Sequence, residues 1–300
     1  MPRVSIGLPV YNGENFLEAA VVSLLNQTYE DFELIISDNA SSDRTEEICR
    51  LYASKDKRIK YFRSDTNRGG AFNYNRVHEL SSGEYFKWAA HDDVVADTFL
   101  EKAVSVLDSN PAVILCLSKV KFIDEQGAIL DQYNYRSRGL SIRADERFFD
   151  LVISTHINTE LFGLIRASVL KRSPKGGYAG SDRVLLGELA LSGRFYQIPE
   201  YLFFHREHSQ NASNVHLDLR MFDSWFAPER AEKRFRFPSW KLLVEHLRSI
   251  RDAPLSGEER LRCYVGMLWW LRAFRDRLID DVLVATKQSR GYFRRKTIPT

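Results

Sequence analysis

The chain has 300 residues, of which 44% are hydrophobic, so it can build a large core as one domain or as one domain with an appendage. Its three cysteines, Cys49, Cys116 and Cys263, are too few and too far apart for a disulfide framework or a Cys-x-x-Cys metal site. This cysteine usage favours a reducing compartment. We see no signal peptide and no apolar run long enough to cross a membrane, so we expect a soluble, cytoplasmic chain.

The formal net charge of +3 is distributed unevenly along the chain. Residues 225–300 carry 17 Lys and Arg against 9 Asp and Glu, a net charge of +8. Residues 1–224 carry 26 against 31, a net charge of −5. The sequence therefore predicts an acidic body with a basic tail.

The first 90 residues alternate between β-rich segments and segments with apolar residues at helical spacing. The predicted strands are Arg3–Asn12, Phe32–Asp38, Ile59–Phe62 and Tyr85–Ala90. Asn15 is the expected N-cap of the first helix, and Asp43 and Glu46 resemble a capping box for the second. This order is typical of βαβ units and predicts a mostly parallel sheet.

The loops that follow these strands are expected to meet at one edge of the sheet, where open α/β sheets bind ligands. They span residues 11–15, 38–43, 67–70 and 91–93. Asp92 and Asp93 in the last loop offer hard oxygen ligands for Mg²⁺ or Mn²⁺, although one of them could only cap the helix that begins near Asp97. No Gly-x-Gly-x-x-Gly and no Walker lysine loop follows the first strand, which removes the main support for dinucleotide and P-loop sites.

The second half of the chain is predicted from weaker patterns. We expect a helix over 97–108, strands over 113–117 and 160–165, a hairpin of 120–123 with 129–130, a helix over 144–153 and late strands within 195–204. A Gly-rich loop, residues 174–181, leads to Asp182. That carboxylate is either an N-cap or a general base on a hinged lid. The late run from His205 to His208 is either a solvated strand end or a site for diphosphate or metal.

Residues 228–296 are predicted to be helical, with arginines beside apolar stripes. Such helices could lie on an anionic membrane surface, or pack on their own domain or on a twin subunit. Nucleic-acid binding is disfavoured, because the arginines alternate with core-type apolar residues and not with stacking aromatic ones.

Three runs of the sequence carry a family signature. They are Val4–Asn12 (VSIGLPVYN), Ser23–Tyr29 (SLLNQTY) and Phe32–Asp43 (FELIISDNASSD), and the similarity continues through Asn67-Arg68-Gly69 and Gly83-Glu84-Tyr85 to Asp92-Asp93. In this order and spacing the motifs closely resemble those of family 2 glycosyltransferases, over roughly residues 3–210. The resemblance implies an inverting, nucleotide-sugar-dependent enzyme of the α/β class. Its fold would be the GT-A type, a mostly parallel, Rossmann-like sheet flanked by helices, here with a C-terminal helical appendage.

The resemblance also implies roles for particular residues. It makes Asp182 the catalytic base, although Gly180-Ser181-Asp182 stands where Glu-Asp is more usual. The family motif Asp-x-Asp-Asp has Ala90 in its first place here, which leaves Asp93 as the metal ligand, with His208, and Asp92 as the contact to ribose or sugar. The implied nucleotide-sugar contacts are Pro9, Tyr11, Asn12, Glu14, Asp38, Asn67, Arg68, Gly69, Asn73, Asp92 and Arg206.

The implied reaction moves a sugar from a UDP- or dTDP-sugar to a glycan or lipid-linked acceptor, with Mg²⁺ or Mn²⁺ on the diphosphate, in surface polysaccharide assembly. We expect residues 1–220 to form the catalytic domain, with a nucleotide half (1–118) and an acceptor half (119–220), and residues 221–300 a basic helical extension. That extension could contact the inner face of the membrane or form a homodimer. Two alternatives remain. A nucleotidyltransferase would want a Gly-rich basic loop after the first strand, which is missing, whereas Ala90 gives some support to a catalytically inactive nucleotide-sugar-binding or scaffold protein.

Overall fold

The computed structural model describes residues 1–133, 135, 137–154, 157–170, 178, 180–209, 211, 226, 228 and 237–296, with the backbone alone for 287–296. Most of the predicted Gly-rich loop before Asp182 and the start of the predicted C-terminal helices lie outside these residues. The strands are β1 Val4–Val10, β2 Phe32–Asp38, β3 Ile59–Arg63, β4 Tyr85–Trp88, β5 Val94–Val95, β6 Val113–Ile123, β7 Ile129–Tyr133, β8 Leu164–Arg166 and β9 Arg194–Arg206. The helices are α1 Leu17–Leu25, α2 Thr45–Lys55, α3 Gly70–Glu79, α4 Phe99–Ser109, α5 Ala144–Ile153, α6 Ala167–Leu170, α7 Ser181–Ser192, α8 Pro238–Asp252, α9 Gly257–Ala273 and α10 Arg275–Lys296, with a 3₁₀ turn at Thr159–Phe162.

The first four strands form the parallel half of the sheet, in the order β3-β2-β1-β4. Strand β1 is buried along its whole length, and its side chains at Val4, Ile6 and Leu8 are fully shielded from solvent. A strand covered on both faces reads as a continuous apolar run, which is why the sequence signal was strong here. Val10 pairs with Asp38, so the carboxyl ends of β1 and β2 lie side by side. The predicted α/β architecture with its mostly parallel sheet is confirmed.

The second half of the sheet continues in the order β8-β6-β9-β5, with β7 beside β6. Strands β6 and β9 are parallel and long, and β8 runs antiparallel between β4 and β6. The two segments predicted within 113–123 are one continuous strand, and the segment predicted to be a strand from Glu160 begins as a 3₁₀ turn. Strand β5 pairs antiparallel with the end of β9, which brings the late part of the chain to Asp92 and Asp93.

Two predicted helix caps are wrong. Helix α1 begins after Phe16 and has no side-chain cap, so Asn15 does not serve as its N-cap. Helix α2 likewise has no side-chain hydrogen bond at its N-cap, Arg44. The carboxylate of Asp43 instead accepts hydrogen bonds from the backbone N–H groups of Glu14 and Thr45, because it joins the two neighbouring loops.

The helices after Pro238 share a hydrophobic core with α5 and α7. That core contains Phe148, Leu191, Leu243, Met267 and Trp270 among its buried members. The C-terminal helices are therefore a layer packed against the sheet domain, and the boundary at residue 220 stays a prediction. Within the described residues, no helix is both long enough and apolar enough to cross a bilayer.

Trp270 tests how firmly this layer belongs to the fold. Its side chain is 2% exposed, and we expect Trp270→Ala to lower the free energy of unfolding by about 3–5 kcal/mol through lost burial and a cavity. Its neighbour Trp269, which is 67% exposed, provides the matched control, and Trp269→Ala should stay within about 0.5 kcal/mol of the parent. Denaturant unfolding measures both. Equal losses in the two variants would contradict the shared core.

Candidate active site

A cleft of about 410 Å³ opens at the carboxyl edge of the parallel strands. All four predicted loops contribute to it, as the strand order required. The predicted residues that line it are Pro9, Tyr11, Asn12, Asn67, Gly69, Asn73, Asp92 and His208. Six other predicted residues do not line the cleft within the described part of the chain: Glu14, Asp38, Arg68, Asp93, Asp182 and Arg206.

The first two loops are joined by reciprocal hydrogen bonds. The backbone N–H groups of Asn12 and Gly13 donate to the hydroxyls of Ser41 and Thr45, at 2.9 and 2.8 Å. In return, the side chains of Asn12 and Glu14 accept from the backbone N–H groups of Ser42 and Arg44, at 2.9 and 3.0 Å. Asn12 and Ala40 both have positive φ, a strained conformation that such a network can hold. The side chains of Asn12 and Glu14 thus hold the first two loops together, and Asn12 also lines the cleft.

The family resemblance assigns a nucleotide-sugar contact to Asp38, but in the structure its neighbour Asn39 lines the cleft. Asp38 is fully buried, and its oxygens accept from the Ser41 N–H and the Tyr61 hydroxyl, each at 2.8 Å. Asn39 lines the cleft and holds the third loop, because its amide donates to Asn67 Oδ1 and its oxygen accepts from the Arg68 N–H. Base recognition by Asp38 stays a prediction, and it would require one of these protein partners to yield.

Helix α3 brings a polar side chain to the floor of the cleft. Asn73 donates to the carbonyls of Val10 and Ser37, at 3.2 and 2.8 Å, and so ties α3 to the ends of β1 and β2. Its Oδ1 is buried and accepts no hydrogen bond from any described residue. Gly69, just before α3, has a φ of +85°, a conformation that glycine adopts without strain.

Asp92 and His208 form a pair that faces the cleft. Asp92 Oδ2 lies 2.9 Å from His208 Nε2. Burial would raise the pKa of Asp92, but the hydrogen bond from His208 and the charges of His91 and His208 outweigh it and lower the pKa to about 2. Asp92 is therefore ionised at neutral pH and is available as a ligand.

Asp93 contacts the end of β9 and does not line the cleft within the described residues. It is 4% exposed, and its Oδ1 accepts from the Arg206 N–H at 2.9 Å and lies 3.0 Å from His205 Nδ1. Burial of His205 opposes its charged form, but the nearby negative charge of Asp93 prevails and raises the pKa of His205. Asp93 therefore serves as an anchor for the end of β9.

Arg206 is a buried clamp at the end of β9. Its guanidinium donates to the carbonyls of Asp92, Asp124 and Glu125, at 2.9, 2.7 and 3.1 Å. Those bonds tie the Asp92 loop to the turn between β6 and β7. The predicted contact of Arg206 with a diphosphate stays a prediction, since the side chain is only 4% exposed.

Asp182 is the second residue of α7, not its N-cap, which is Gly180. Its Oδ2 accepts from the amide of Asn158 at 2.5 Å. Burial raises the pKa of Tyr74, and the negative charges of Asp92, Asp93 and Asp182 raise it further. Tyr74 lines the cleft, so the charge of Asp182 reaches the cleft wall, although Asp182 itself is not among the described residues that line it. That Asp182 serves the same cavity as Asp92 and Asp93 stays a prediction.

Asp92 and His208 fit a divalent cation that carries substrate phosphates. Among the described residues, no cluster of three or more His, Cys, Asp or Glu side chains is arranged to hold a metal. Mg²⁺ is commonly held by one or two carboxylates, with phosphate oxygens and water completing its shell. One carboxylate and one imidazole at the cleft could hold such a cation if a diphosphate supplied the remaining ligands and if His208 Nε2 exchanged its 2.9 Å hydrogen bond with Asp92 for the metal.

Sequence reasoning missed several residues of the site. Asn39, Tyr74 and Asn158 are polar or aromatic residues in segments read only as loops or helices, and no spacing singled them out. Lys87 did leave a signal, a charged residue inside an apolar strand. It is fully buried, donates to the carbonyl of Phe162 and lies near the rings of Phe99 and Phe203.

The profile described as glycosyl transferase family 2 matches residues 5–173, more than half of the chain. The chain therefore belongs to glycosyl transferase family 2. It is 40% identical over 114 residues to an uncharacterized glycosyltransferase of Haemophilus influenzae, a stretch that is 38% of this chain and 46% of that protein. The chain thus spans about half the length of that relative.

Solved structures show the same architecture at low sequence identity. S. aureus TarS 1–349 in complex with UDP-GlcNAc superimposes with a TM-score of 0.68 at 16% identity, over 95% of this chain and 81% of that one. The mannosyltransferase PcManGT from Pyrobaculum calidifontis, in complex with GDP-Man and Mn²⁺, gives a TM-score of 0.51 at 16% identity, over 95% and 85%. These likenesses show the GT-A fold, as predicted.

The charge state of Lys87 gives a test of the buried side of the site. Burial lowers the pKa of Lys87 to about 7, and the charge of Asp93 only partly opposes this effect. In the unfolded chain the pKa of lysine is about 10.4. Between pH 7 and pH 10 the unfolded state therefore binds more protons at this residue, and stability rises with pH. We expect the free energy of unfolding of the parent to rise relative to Lys87→Met over this range. Denaturant titrations at both pH values measure it, and a constant difference would show that Lys87 keeps an ordinary pKa.

Proposed function

We propose that this chain is an inverting glycosyltransferase that moves a sugar from a UDP- or dTDP-sugar to a glycan or lipid-linked acceptor. The observation that carries the proposal is the cleft at the carboxyl edge of the sheet, which is lined by Asp92 and His208 and whose wall residue Tyr74 lies within the electrostatic reach of Asp182. Membership of the family supports the reaction class. The complexes of TarS with UDP-GlcNAc and of PcManGT with GDP-Man support a nucleotide-sugar donor.

Asp182 is the proposed general base. A sugar hydroxyl is a weak nucleophile, so a carboxylate must take its proton as the hydroxyl attacks the anomeric carbon, a contribution of about 10²–10⁴-fold. A single base on the face opposite the leaving group gives inversion. Asn158 fixes Oδ2 of Asp182, and Oδ1 would take the proton of the acceptor hydroxyl.

The leaving nucleoside diphosphate gains negative charge during transfer. A divalent cation at Asp92 and His208 would neutralise that charge. Asp92 is suited to this role because its lowered pKa keeps it ionised and because it faces the cleft. This exchanges the roles that the sequence suggested for Asp92 and Asp93, and it makes Asp93 and Arg206 positioning residues that hold the Asp92 loop.

The donor nucleotide would lie against the joined loops after β1, β2 and β3. Pro9 and Tyr11 line that part of the cleft, and the unpartnered Oδ1 of Asn73 offers it an acceptor. The acceptor would approach from the half of the domain after residue 118. Surface polysaccharide assembly is a further part of the proposal, and it rests on the family resemblance.

Substitution of the proposed base separates chemistry from binding. We expect Asp182→Asn to lower transfer, followed as UDP or dTDP release with acceptor present, by about 10²-fold or more, while donor affinity is unchanged. Glu188→Gln is the matched control on the same helix, because Glu188 bonds Ser249 in α8, away from the cleft. Turnover at the parental rate in Asp182→Asn would remove this residue from the base role. Nucleotide binding without any turnover in the parent would favour an inactive binding protein.

The neighbouring carboxylates provide a matched pair for the metal site. We expect Asp92→Asn to abolish the Mn²⁺ dependence of UDP affinity in titration calorimetry, since it removes the ligand that faces the cleft. Asp93→Asn should keep that dependence and instead lower the pKa of His205, which histidine NMR can follow, because the stabilising charge is lost. The reverse outcome, with metal dependence lost only in Asp93→Asn, would restore the assignment made from the sequence.

A further inference from the structure

Helix α9 has apolar side chains on both of its faces. Cys263, Met267 and Trp270 are buried against the sheet domain. On the opposite side, Leu261, Val265, Leu268 and Trp269 are between 52% and 67% exposed. A helix that is apolar all round is normally buried all round, so this side lacks a partner among the described residues.

Helix α10 repeats the pattern. Leu278 and Ala285 are buried, whereas Ile279, Val282 and Leu283 are between 43% and 54% exposed. The exposed residues lie three and four positions apart, which places them on one side of the helix. We refer to the exposed apolar residues of the two helices as the outer face: Leu261, Val265, Leu268, Trp269, Ile279, Val282 and Leu283.

Helix α9 cannot rotate to bury the side chains of its outer face. A Cβ at Gly266 would lie 2.1 Å from ring atoms of Phe149 in α5, so α9 packs on the body at the closest possible distance. Trp270 lies 5.8 Å from His246 of α8, ring centre to ring centre, on the same buried side. The orientation of α9 is therefore fixed by contacts on the side opposite the outer face.

We propose that the outer face docks on an anionic lipid bilayer, lying in its surface without crossing it. Arg272 favours a bilayer over a second copy of the chain as the partner. It follows Leu261, Val265 and Leu268 at helical spacing, so it lies on the outer face. It has no hydrogen bond or ion pair with any described residue. Burial of an unpaired guanidinium in a protein interface is costly, whereas at a bilayer its stem lies along apolar groups and its head reaches lipid phosphate. Trp269 fits the same position, because tryptophan is enriched at the boundary between membrane and water.

Charge complementarity supports the anionic bilayer. Residues 287–296, which continue α10, contain five Lys and Arg and no Asp or Glu. The tail from 225 carries +8 and the body −5, so an anionic surface would attract the helices and repel the body. Each basic residue near such a surface adds to the attraction. Docking would bring a lipid-linked acceptor to the enzyme, but it does not depend on the catalytic role of any residue.

Co-sedimentation of the full chain with vesicles, without donor or acceptor, tests the proposal. Vesicles of phosphatidylcholine containing about one third phosphatidylglycerol should bind the parent, and binding should fall as salt is raised. The double variant Leu268→Ser, Trp269→Ser should bind at least about tenfold more weakly, because it removes two apolar groups that the bilayer would bury. Ile142→Ser, at a residue that is 79% exposed outside the C-terminal helices, is the matched control and should bind as the parent does.

Three results would overturn the proposal. They are failure of the parent to bind anionic vesicles, equal binding by the double variant, and binding that is the same on pure phosphatidylcholine at every salt concentration. Sedimentation velocity adds a fourth. A parental dimer that the double variant dissociates, with vesicle binding unaltered, would assign the outer face to a second copy. Because no turnover is measured, a failure here leaves the glycosyltransferase proposal untouched.

Discussion

Arg206 joins three segments that lie far apart in the sequence. Its backbone N–H bonds the Asp93 carboxylate, and its guanidinium bonds the carbonyls of Asp92, Asp124 and Glu125. A buried guanidinium is costly unless its donors are satisfied, and carbonyl groups of two loops satisfy them here. The position of Asp92 beside His208 follows from this clamp, because β9 must end where Arg206 and His208 can reach the loop after β4. The parallel sheet provides the cleft, and Arg206 holds the Asp92 loop at its edge.

The same end of β9 explains why charged groups are buried under the cleft. Asp93, His205 and Lys87 do not line the cleft within the described residues, unlike Asp92. Asp93 stabilises the charged forms of both His205 and Lys87. Removal of one member would leave the rest buried without compensation, which usually costs several kcal/mol. The Arg206 N–H and His205 Nδ1 lie 2.9 and 3.0 Å from Asp93 Oδ1, so these contacts tie the end of β9 to the loop that carries Asp92.

The predictable part of this molecule is the part whose signals are local. Fully apolar strands such as β1 and β2, and the loops after them, follow from residue patterns, so the edge where the cleft opens could be located. The choice between Asp92 and Asp93 could not be made in the same way. Adjacent side chains point in different directions, and their partners are 113 and 116 positions away in the sequence. The family motif ranked the two carboxylates by position, whereas their contacts rank them by which one faces the cleft.

The helical layer bears on the chemistry through α7. Gly180, with a φ of +80°, precedes the helix that carries Asp182, and Leu242 of α8 packs against it. The Nζ of Lys241 in α8 lies 3.6 Å from the ring centre of Tyr178. A carboxylate on a helix is placed more accurately than one on a loop, provided that the helix itself is held. Since α8 holds the start of α7 and also shares its core with α9, the C-terminal helices position the proposed base and present the outer face as one packed layer.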